Sequence, residues 1–276
     1  NTGDPSLFGY PISLKAKLLI RRLKVALDAE QIELAKEWRD QTLEEIEAYG
    51  PTYKARLDNL FGRLYRMELD FDNAVVSFQS AKDSGDEYSS VRAEYNLIDI
   101  NLQQETIELK EAIQRFERLR YAWRGDAFER QVLNRLGELY LAEGDYRNAL
   151  NTLKVIVAYF PKHSDAKNAA ERMRSVFRRL YLEGEADNIS PLKALALYDE
   201  FRELTPADPD SNLIIQKLAE RLIDVDLLDK ASEVLGHQVK FRLRGEEKAA
   251  IGTKLALIRL IARDPQGALV ALRDSF

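Results

Sequence analysis

The chain has 276 residues, a formal net charge of −5, 45% hydrophobic residues and 32% charged residues. This balance is typical of an ordered protein, and the acidic excess argues against general nucleic-acid binding, which usually needs a basic face. The chain has no cysteine, which excludes disulfides, thiolate metal sites and cysteine nucleophiles. No apolar run reaches the length of a membrane span, so we expect no integral membrane segment.

Residues 1–11 predict an extended N-terminal segment, and helical spacing of apolar residues begins at residue 12. No stretch shows the sustained period-two alternation of a strand. The pattern predicts seven antiparallel helix pairs in one array over 12–276. First helices are expected at 12–28, 51–68, 87–104, 125–142, 163–183, 208–224 and 244–262. Second helices are expected at 30–49, 71–83, 107–122, 146–160, 191–204, 227–238 and 265–275.

An alanine recurs in every second helix, with an apolar residue usually three positions before it and a large apolar residue four positions after it. Residues at i−3, i and i+4 share one face of a helix, so the small side chain lets a neighbouring helix approach closely. The gaps between successive alanines are 39, 38, 37, 45, 37 and 37 residues, and the 45-residue gap contains the polar connection Gly184 to Ser190. The alanines are Ala35, Ala74, Ala112, Ala149, Ala194, Ala231 and Ala268.

Capping residues mark several helix starts. Asp70 precedes the second helix that carries Ala74. Ser190-Pro191 and Asp264-Pro265 each place a capping side chain before a proline at the first helical position. These signals predict where three of the second helices begin.

The segment from about Arg130 to His163 resembles a tetratricopeptide repeat. The residues at the expected spacing of that 34-residue unit are Leu136, Gly137, Tyr140, Ala149 and Pro161. An earlier segment matches at Gly62, Tyr65, Ala74, Phe78 and Ala81 but lacks the proline. The early tryptophan of the family is replaced by Leu133 and Asp58, and the usual gap exceeds 34 residues.

The resemblance implies a right-handed α-solenoid, a superhelix whose first helices line a concave groove for a peptide or a partner helix. Some family members hold a C-terminal carboxylate with a lysine–asparagine clamp, and this chain lacks that full set. In the family register, the groove-facing residues are Arg56, Asn59, Arg63, Arg66, Tyr95, Asn96, Gln131, Asn134, Glu138, Arg174 and Arg178. Arginine can grip a carboxylate with two parallel hydrogen bonds, although these side chains also fit an ordinary solvated face.

No catalytic motif is present, so we expect no enzymatic activity, no cofactor and no metal site. The two histidines, His163 and His237, are far apart in sequence and lie next to predicted helix ends. The numerous carboxylates are typical of solvated helix faces. The tryptophans Trp38 and Trp123 are interpreted as packing residues.

The most direct hypothesis is a non-catalytic scaffold that binds other proteins or peptides in the groove. The alternative is an assembly module that self-associates through its terminal helices, because the apolar face with Leu269, Val270 and Leu272 has no polar capping helix. The basic runs Lys15–Lys24 and Arg172–Arg179 are interrupted by core positions, which favours packed amphipathic helices over lipid or nucleic-acid binding.

Two expectations concern the origin of the chain. A start at Asn1 and an end just after an amphipathic segment indicate a trimmed piece of a longer protein. The spacing around Ala149, followed by Phe160-Pro161, resembles periplasmic repeat proteins of the bacterial cell envelope, so that location is favoured over the cytoplasm.

Overall fold

The structure is a computed structural model that describes residues 11–205 and 210–275. Within these residues it contains fourteen α-helices, three short 3-10 helices and no strand, which confirms the all-α prediction. Residues 1–10 of the expected N-terminal segment lie outside the described residues.

The helices begin and end close to the predicted boundaries. Their bounds are α1 Ile12–Asp28, α2 Ile32–Leu43, α3 Pro51–Met67, α4 Phe71–Lys82, α5 Glu87–Gln103, α6 Leu109–Ala122, α7 Ala127–Ala142, α8 Tyr146–Tyr159, α9 Ser164–Leu182, α10 Pro191–Glu200, α11 Asp210–Asp224, α12 Leu228–Phe241, α13 Gly245–Ile261 and α14 Pro265–Ser275. The side chains of Asp70 and Ser190 cap α4 and α10, as the sequence predicts.

The chain forms two compact units, residues 1–152 and 153–276, and we describe each by itself. In unit 1, each first helix packs on the second helix that follows it, which gives the pairs α1 with α2, α3 with α4, and α5 with α6. Two second helices also pack on the next first helix: α4 on α5, and α6 on α7. In unit 2, α11 pairs with α12 and α13 with α14, and α12 packs on α13 in the same way. First helices also touch each other, as α1 touches α3, α3 touches α5, and α9 touches α11. This is the register of a helical-repeat solenoid, in which each repeat packs on its neighbours.

The recurring alanines lie at the closest contacts of these pairs. Six of the seven have no exposed surface, and Ala268 is 3% exposed. Of the large residues four positions later, Phe78, Phe116, Leu153 and Leu235 are fully buried, Tyr198 is 7% exposed and Leu272 is half-buried. Gly62 shows how close the helices come, because a Cβ atom added there would lie 2.7 Å from Cε1 of Phe78.

Two predicted second helices end early and continue as 3-10 helices. The helix predicted over 30–49 ends at Leu43, and a 3-10 helix covers Ile46–Tyr49. Because a 3-10 helix has three residues per turn, Ile46 and Tyr49 lie on the same side, and both are buried. The helix predicted over 191–204 ends at Glu200, where Phe201 turns into the core, and a second 3-10 helix follows at Arg202–Leu204. The third, at Glu185–Asn188, lies within the long connection.

The turn between the two helices of a pair requires a left-handed backbone. Gly144 adopts it with a φ of 77°, five residues before Ala149. Leu69, Asp226 and Arg263 stand at the same distance from their alanines with φ values of 62°, 60° and 62°. Residues with a Cβ atom are destabilised in this conformation by steric contacts, whereas glycine adopts it without steric cost.

We therefore expect Leu69→Gly to raise the free energy of unfolding by about 1 kcal/mol, because it relieves the left-handed strain and removes a side chain that is largely exposed. Urea denaturation of the purified chain measures the change. The matched reverse substitution, Gly144→Ala, should lower the free energy of unfolding by a similar amount. A loss of stability in Leu69→Gly would show that contacts of the leucine outweigh the strain.

Candidate functional site

Three first helices of unit 1 meet at one carboxylate. Asp99 on α5 is 8% exposed, and its Oδ1 accepts a hydrogen bond of 2.7 Å from Nε of Arg135 on α7. Its Oδ2 lies 3.5 Å from Nη2 of Arg66 on α3. A single aspartate therefore pairs with one arginine from each neighbouring first helix.

The same face of α3 continues toward α1 and α5. Nη2 of Arg63 donates to Oδ1 of Asp28 at 2.8 Å, which connects α3 with α1. Nη1 of Arg66 donates to Oδ1 of Asn96 at 3.2 Å, which adds a second bond between α3 and α5. We call these six residues the polar row: Asp28, Arg63, Arg66, Asn96, Asp99 and Arg135.

Asparagines occupy a repeated position on three of the first helices. Asn59, Asn96 and Asn134 each donate their side-chain amide to the carbonyl oxygen four residues earlier, at 3.3, 2.8 and 3.0 Å. Asn59 also donates to the carbonyl of Ser89 on α5 at 3.0 Å. This double donation fixes the orientation of the Asn59 amide, since both of its partners are acceptors.

One donor and one acceptor beside the polar row are buried without a hydrogen-bond partner among the described residues. They are Oδ1 of Asn59 and Nε of Arg56, one helical turn apart on α3. The nearest charged partner of that Nε is Oδ2 of Asp86, at 3.9 Å, which is too long for a hydrogen bond. Buried polar groups in folded proteins almost always have partners. This pair belongs to nine exceptions among the described residues, and its two atoms stand one turn apart on the same first helix.

Next to this pair lies an aromatic cluster around Arg92 on α5. The guanidinium carbon lies 3.6 Å from the ring centre of Tyr88, 4.6 Å from that of Phe128 and 5.3 Å from that of Trp123. Nη2 of Arg92 also donates to Oδ2 of Asp126 at 3.0 Å. These contacts hold the start of α7 against α5, and Arg92 contributes to them through cation–π interactions and its ion pair.

The predicted groove residues of unit 1 divide into three groups. Asn59 is buried and Tyr95 is half-buried, with the Tyr95 ring edge-on to Phe116 and Phe128 at 5.1 and 5.7 Å and its pKa raised by burial to about 12. Gln131 and Glu138 are exposed. The third group is half-buried, and its side chains contact neighbouring helices or their own backbone. It consists of Arg56, Arg63, Arg66, Asn96 and Asn134.

Sequence reasoning missed Asp99, Arg135 and Arg92. Asp99 stands three residues after the predicted Asn96, so it shares a face of α5 with that residue. The i, i+3 spacing therefore indicated that Asp99 lies on the same face as Asn96. The arginine partners of Asp99 stand on other helices, and they cannot be assigned before the register between the helices is known.

The predicted arginines of unit 2 stand on α9. Arg174 is exposed and makes no ion pair with a described residue. Nη2 of Arg178 lies 2.6 Å from Oδ2 of Asp210 and connects α9 with α11. The pairing of first helices through an arginine and an aspartate thus occurs in unit 2 as well.

Each of the two histidines contacts a residue close to it in sequence. Nδ1 of His163 accepts from the backbone N–H of Asp165 at the start of α9, and the ring of His237 packs on Phe241 at 4.9 Å. Across residues 11–205 and 210–275, no group of three or more histidines, aspartates and glutamates is placed to hold a metal ion. No helix in that part of the chain is both long and apolar enough to cross a membrane.

We expect Asp99→Ala to lower the free energy of unfolding by about 2 kcal/mol, because it leaves two half-buried guanidinium groups without their shared carboxylate. Thermal or urea denaturation measures this. Glu138→Ala, which removes an exposed partner of the same Arg135, is the control and should cost less than about 0.5 kcal/mol. Equal effects of the two substitutions would contradict a central role for Asp99.

No protein-family model and no curated protein matches the chain. Among solved structures, the apo form of RapI is similar at a TM-score of 0.49 and 12% identity, covering 94% of this chain and 75% of that one. The apo form of the quorum sensor NprR from B. thuringiensis gives a TM-score of 0.49 at 13% identity, covering 96% of this chain and 88% of that one. A tetratricopeptide repeat protein from Parabacteroides merdae ATCC 43184 gives 0.41 at 16% identity, covering 94% and 91%.

At these scores the likeness carries no argument about function. The fold itself rests on the helix pairs and buried alanines described above. On that evidence it is a tetratricopeptide-like helical-repeat fold.

Proposed function

We propose that this chain is a non-catalytic protein-interaction scaffold, and that the polar row of unit 1 together with Arg56 and Asn59 binds a peptide or a partner helix. The chain offers no catalytic motif, and its two histidines are far apart in sequence and structurally occupied. A repeat array with a polar face on its first helices is suited to holding an extended partner.

The main observation behind the proposal is that Nε of Arg56 and Oδ1 of Asn59 on α3 are buried without hydrogen-bond partners among the described residues. An extended peptide offers a carbonyl acceptor and an N–H donor at each residue. When the side chains that cover these two buried atoms move aside, a bound backbone can give its carbonyl to Nε of Arg56 and its N–H to Oδ1 of Asn59. Because an unmade buried hydrogen bond costs about 1–3 kcal/mol, a ligand that supplies both partners gains free energy at this point.

Arg63 can be released from its partner at little cost. Arg63 and its partner Asp28 are 36% and 51% exposed, and such exposed pairs contribute at most about 1 kcal/mol. A carboxylate on the ligand can replace Asp28 and form a two-pronged contact with the guanidinium. The proposed ligand is accordingly a peptide segment that carries at least one acidic residue.

The location of the scaffold is a further proposal. The resemblance of the spacing around Ala149 to periplasmic repeat proteins favours the bacterial cell envelope. Fractionation of the source cells, followed by immunodetection of the chain, tests this location independently of binding.

We expect Arg63→Glu to lower recovery of partner proteins by about tenfold, which corresponds to roughly 1.4 kcal/mol, because it places a negative charge where the ligand carboxylate would bind. The measurement is affinity purification from the source cells with quantitative mass spectrometry. Arg21→Glu on α1 is the control for charge reversal and should leave recovery unchanged. Arg174→Glu tests separately whether unit 2 takes part. Unchanged recovery with Arg63→Glu would remove the polar row as the binding site.

A second candidate function is self-association through α13 and α14, and a comparison between repeats favours it. The residue directly after the repeat alanine is buried or half-buried where a following first helix packs on its helix: Ile113 is 9% exposed, Leu195 and Ser232 are each 8% exposed, and Lys36 and Val75 are half-buried. Leu269 holds the same position on α14 and is 62% exposed. Exposed apolar residues also stand on α13, namely Leu257, Leu260 and Ile261.

If this face pairs with a second copy, the wild-type chain should dimerise with rising concentration and Leu269→Lys should remain monomeric, because a charge cannot be buried in the contact. Analytical ultracentrifugation over a wide concentration range measures both. Leu192→Lys, which replaces an exposed leucine on α10, is the matched control and should dimerise like the wild type. A wild-type chain that stays monomeric throughout would exclude this candidate.

A further inference from the structure

A second surface of unit 1 has the features of a docking site. A cavity of about 320 Å³ lies where α4, α5 and α6 meet. Its apolar part consists of Val91, Leu119 and Ala122, and three cations stand around it, namely Lys82, Arg115 and Arg118. We call this cavity the α6 pocket. Its volume is at the lower end of the range for ligand pockets, which leaves room for one large aliphatic or aromatic side chain.

The α6 pocket carries an excess of positive charge. Glu94 is the only acidic residue among those that line it, and it is shared between Nζ of Lys82 at 2.7 Å and Nη2 of Arg115 at 2.8 Å. Burial alone would raise the pKa of Glu94, but the hydrogen bonds from these two cations hold it below its ordinary value. The carboxylate is therefore ionised at neutral pH, and the lining carries three cations and one anion, with the exposed Glu111 beside it at 3.9 Å from Nη1 of Arg115.

The third cation is available to a ligand. Arg118 is exposed and makes no ion pair with any residue in the described part of the chain. One helical turn further, the exposed ring of Tyr121 lies 5.8 and 5.5 Å from the guanidinium carbons of Arg120 and Arg124. This basic and aromatic surface stands out in a chain whose net charge is −5.

The α6 pocket is distinct from the polar row. Glu94 and Asn96 are two residues apart on α5, which places them about 200° apart around the helix axis. A ligand of the polar row therefore does not occupy the α6 pocket, and the two surfaces can be tested separately.

We propose that the α6 pocket binds an acidic segment of a partner protein, with one apolar side chain against Val91, Leu119 and Ala122 and a flanking carboxylate paired with Arg118. Charge complementarity selects an acidic partner, and the apolar floor selects a hydrophobic anchor beside the acid. Apolar anchors surrounded by polar contacts are the usual source of affinity and specificity in such sites.

The test uses a random peptide display library, selected on the purified full chain and counter-selected on Arg118→Glu. We expect enriched peptides to contain a large apolar residue flanked by Asp or Glu. Fluorescence anisotropy then compares the most enriched peptide with a version that carries Gln and Asn in place of its acids. The wild-type chain should bind the acidic version at least about tenfold more tightly.

Two variants separate the parts of the pocket. Arg118→Glu removes the cation, and Ala122→Phe fills the space for the anchor without changing charge; each should weaken binding by at least about tenfold. Arg21→Glu on α1 is the matched charge reversal and should bind like the wild type, as should Arg63→Glu in the polar row. Circular dichroism confirms that each variant is folded.

Three results would overturn the proposal. The first is enrichment of peptides without acids, or no enrichment at all. The second is loss of binding with Arg118→Glu but not with Ala122→Phe, which would reduce the effect to general charge attraction. The third is a concentration-dependent dimer that Arg118→Glu dissolves, because a second copy would then be the occupant.

Discussion

The close approach of paired helices at small side chains is the constraint on which the rest of the structure depends. Six of the seven repeat alanines have no exposed surface, and Gly62 leaves no room even for a methyl group next to Phe78. With the helices this close, most of the large residues four positions later become buried. The first helices are thereby brought side by side, which places Asp99 between Arg66 and Arg135.

The polar row depends on this spacing rather than on any one helix. Arg63, Arg66 and Arg135 each reach a carboxylate on a neighbouring first helix, so the row exists only when the repeats are stacked. The exposed pair of Arg63 with Asp28 adds little stability, so a bound carboxylate can replace Asp28 there. The pairs that share the buried Asp99 contribute more to stability, whereas the unmatched Arg56 and Asn59 gain directly from a ligand.

Local patterns in the sequence were sufficient to predict the helices, but they were not sufficient to predict the contacts between helices. The alanine period and the caps at Asp70 and Ser190 predicted the pairs because both are properties of a single helix and its immediate ends. The 3-10 helix at Ile46–Tyr49 was missed, because burial of both residues decides its form. The expectation that Asn59 and Tyr95 face the groove stays a prediction; Asn59 is buried and Tyr95 is half-buried. Asp99 and Arg92 were missed because their partners come from other repeats.

The left-handed turns have a consequence for how this chain can change. Since Leu, Asp and Arg all occupy the position that Gly144 fills, no particular side chain is required there, and backbone hydrogen bonds close each turn. The connection from Gly184 to Ser190 already carries extra residues while Ala194 remains fully buried in its usual place. Such connections can lengthen without disturbing the packed layers, so they are natural points at which a fluorescent reporter or an affinity tag can be introduced.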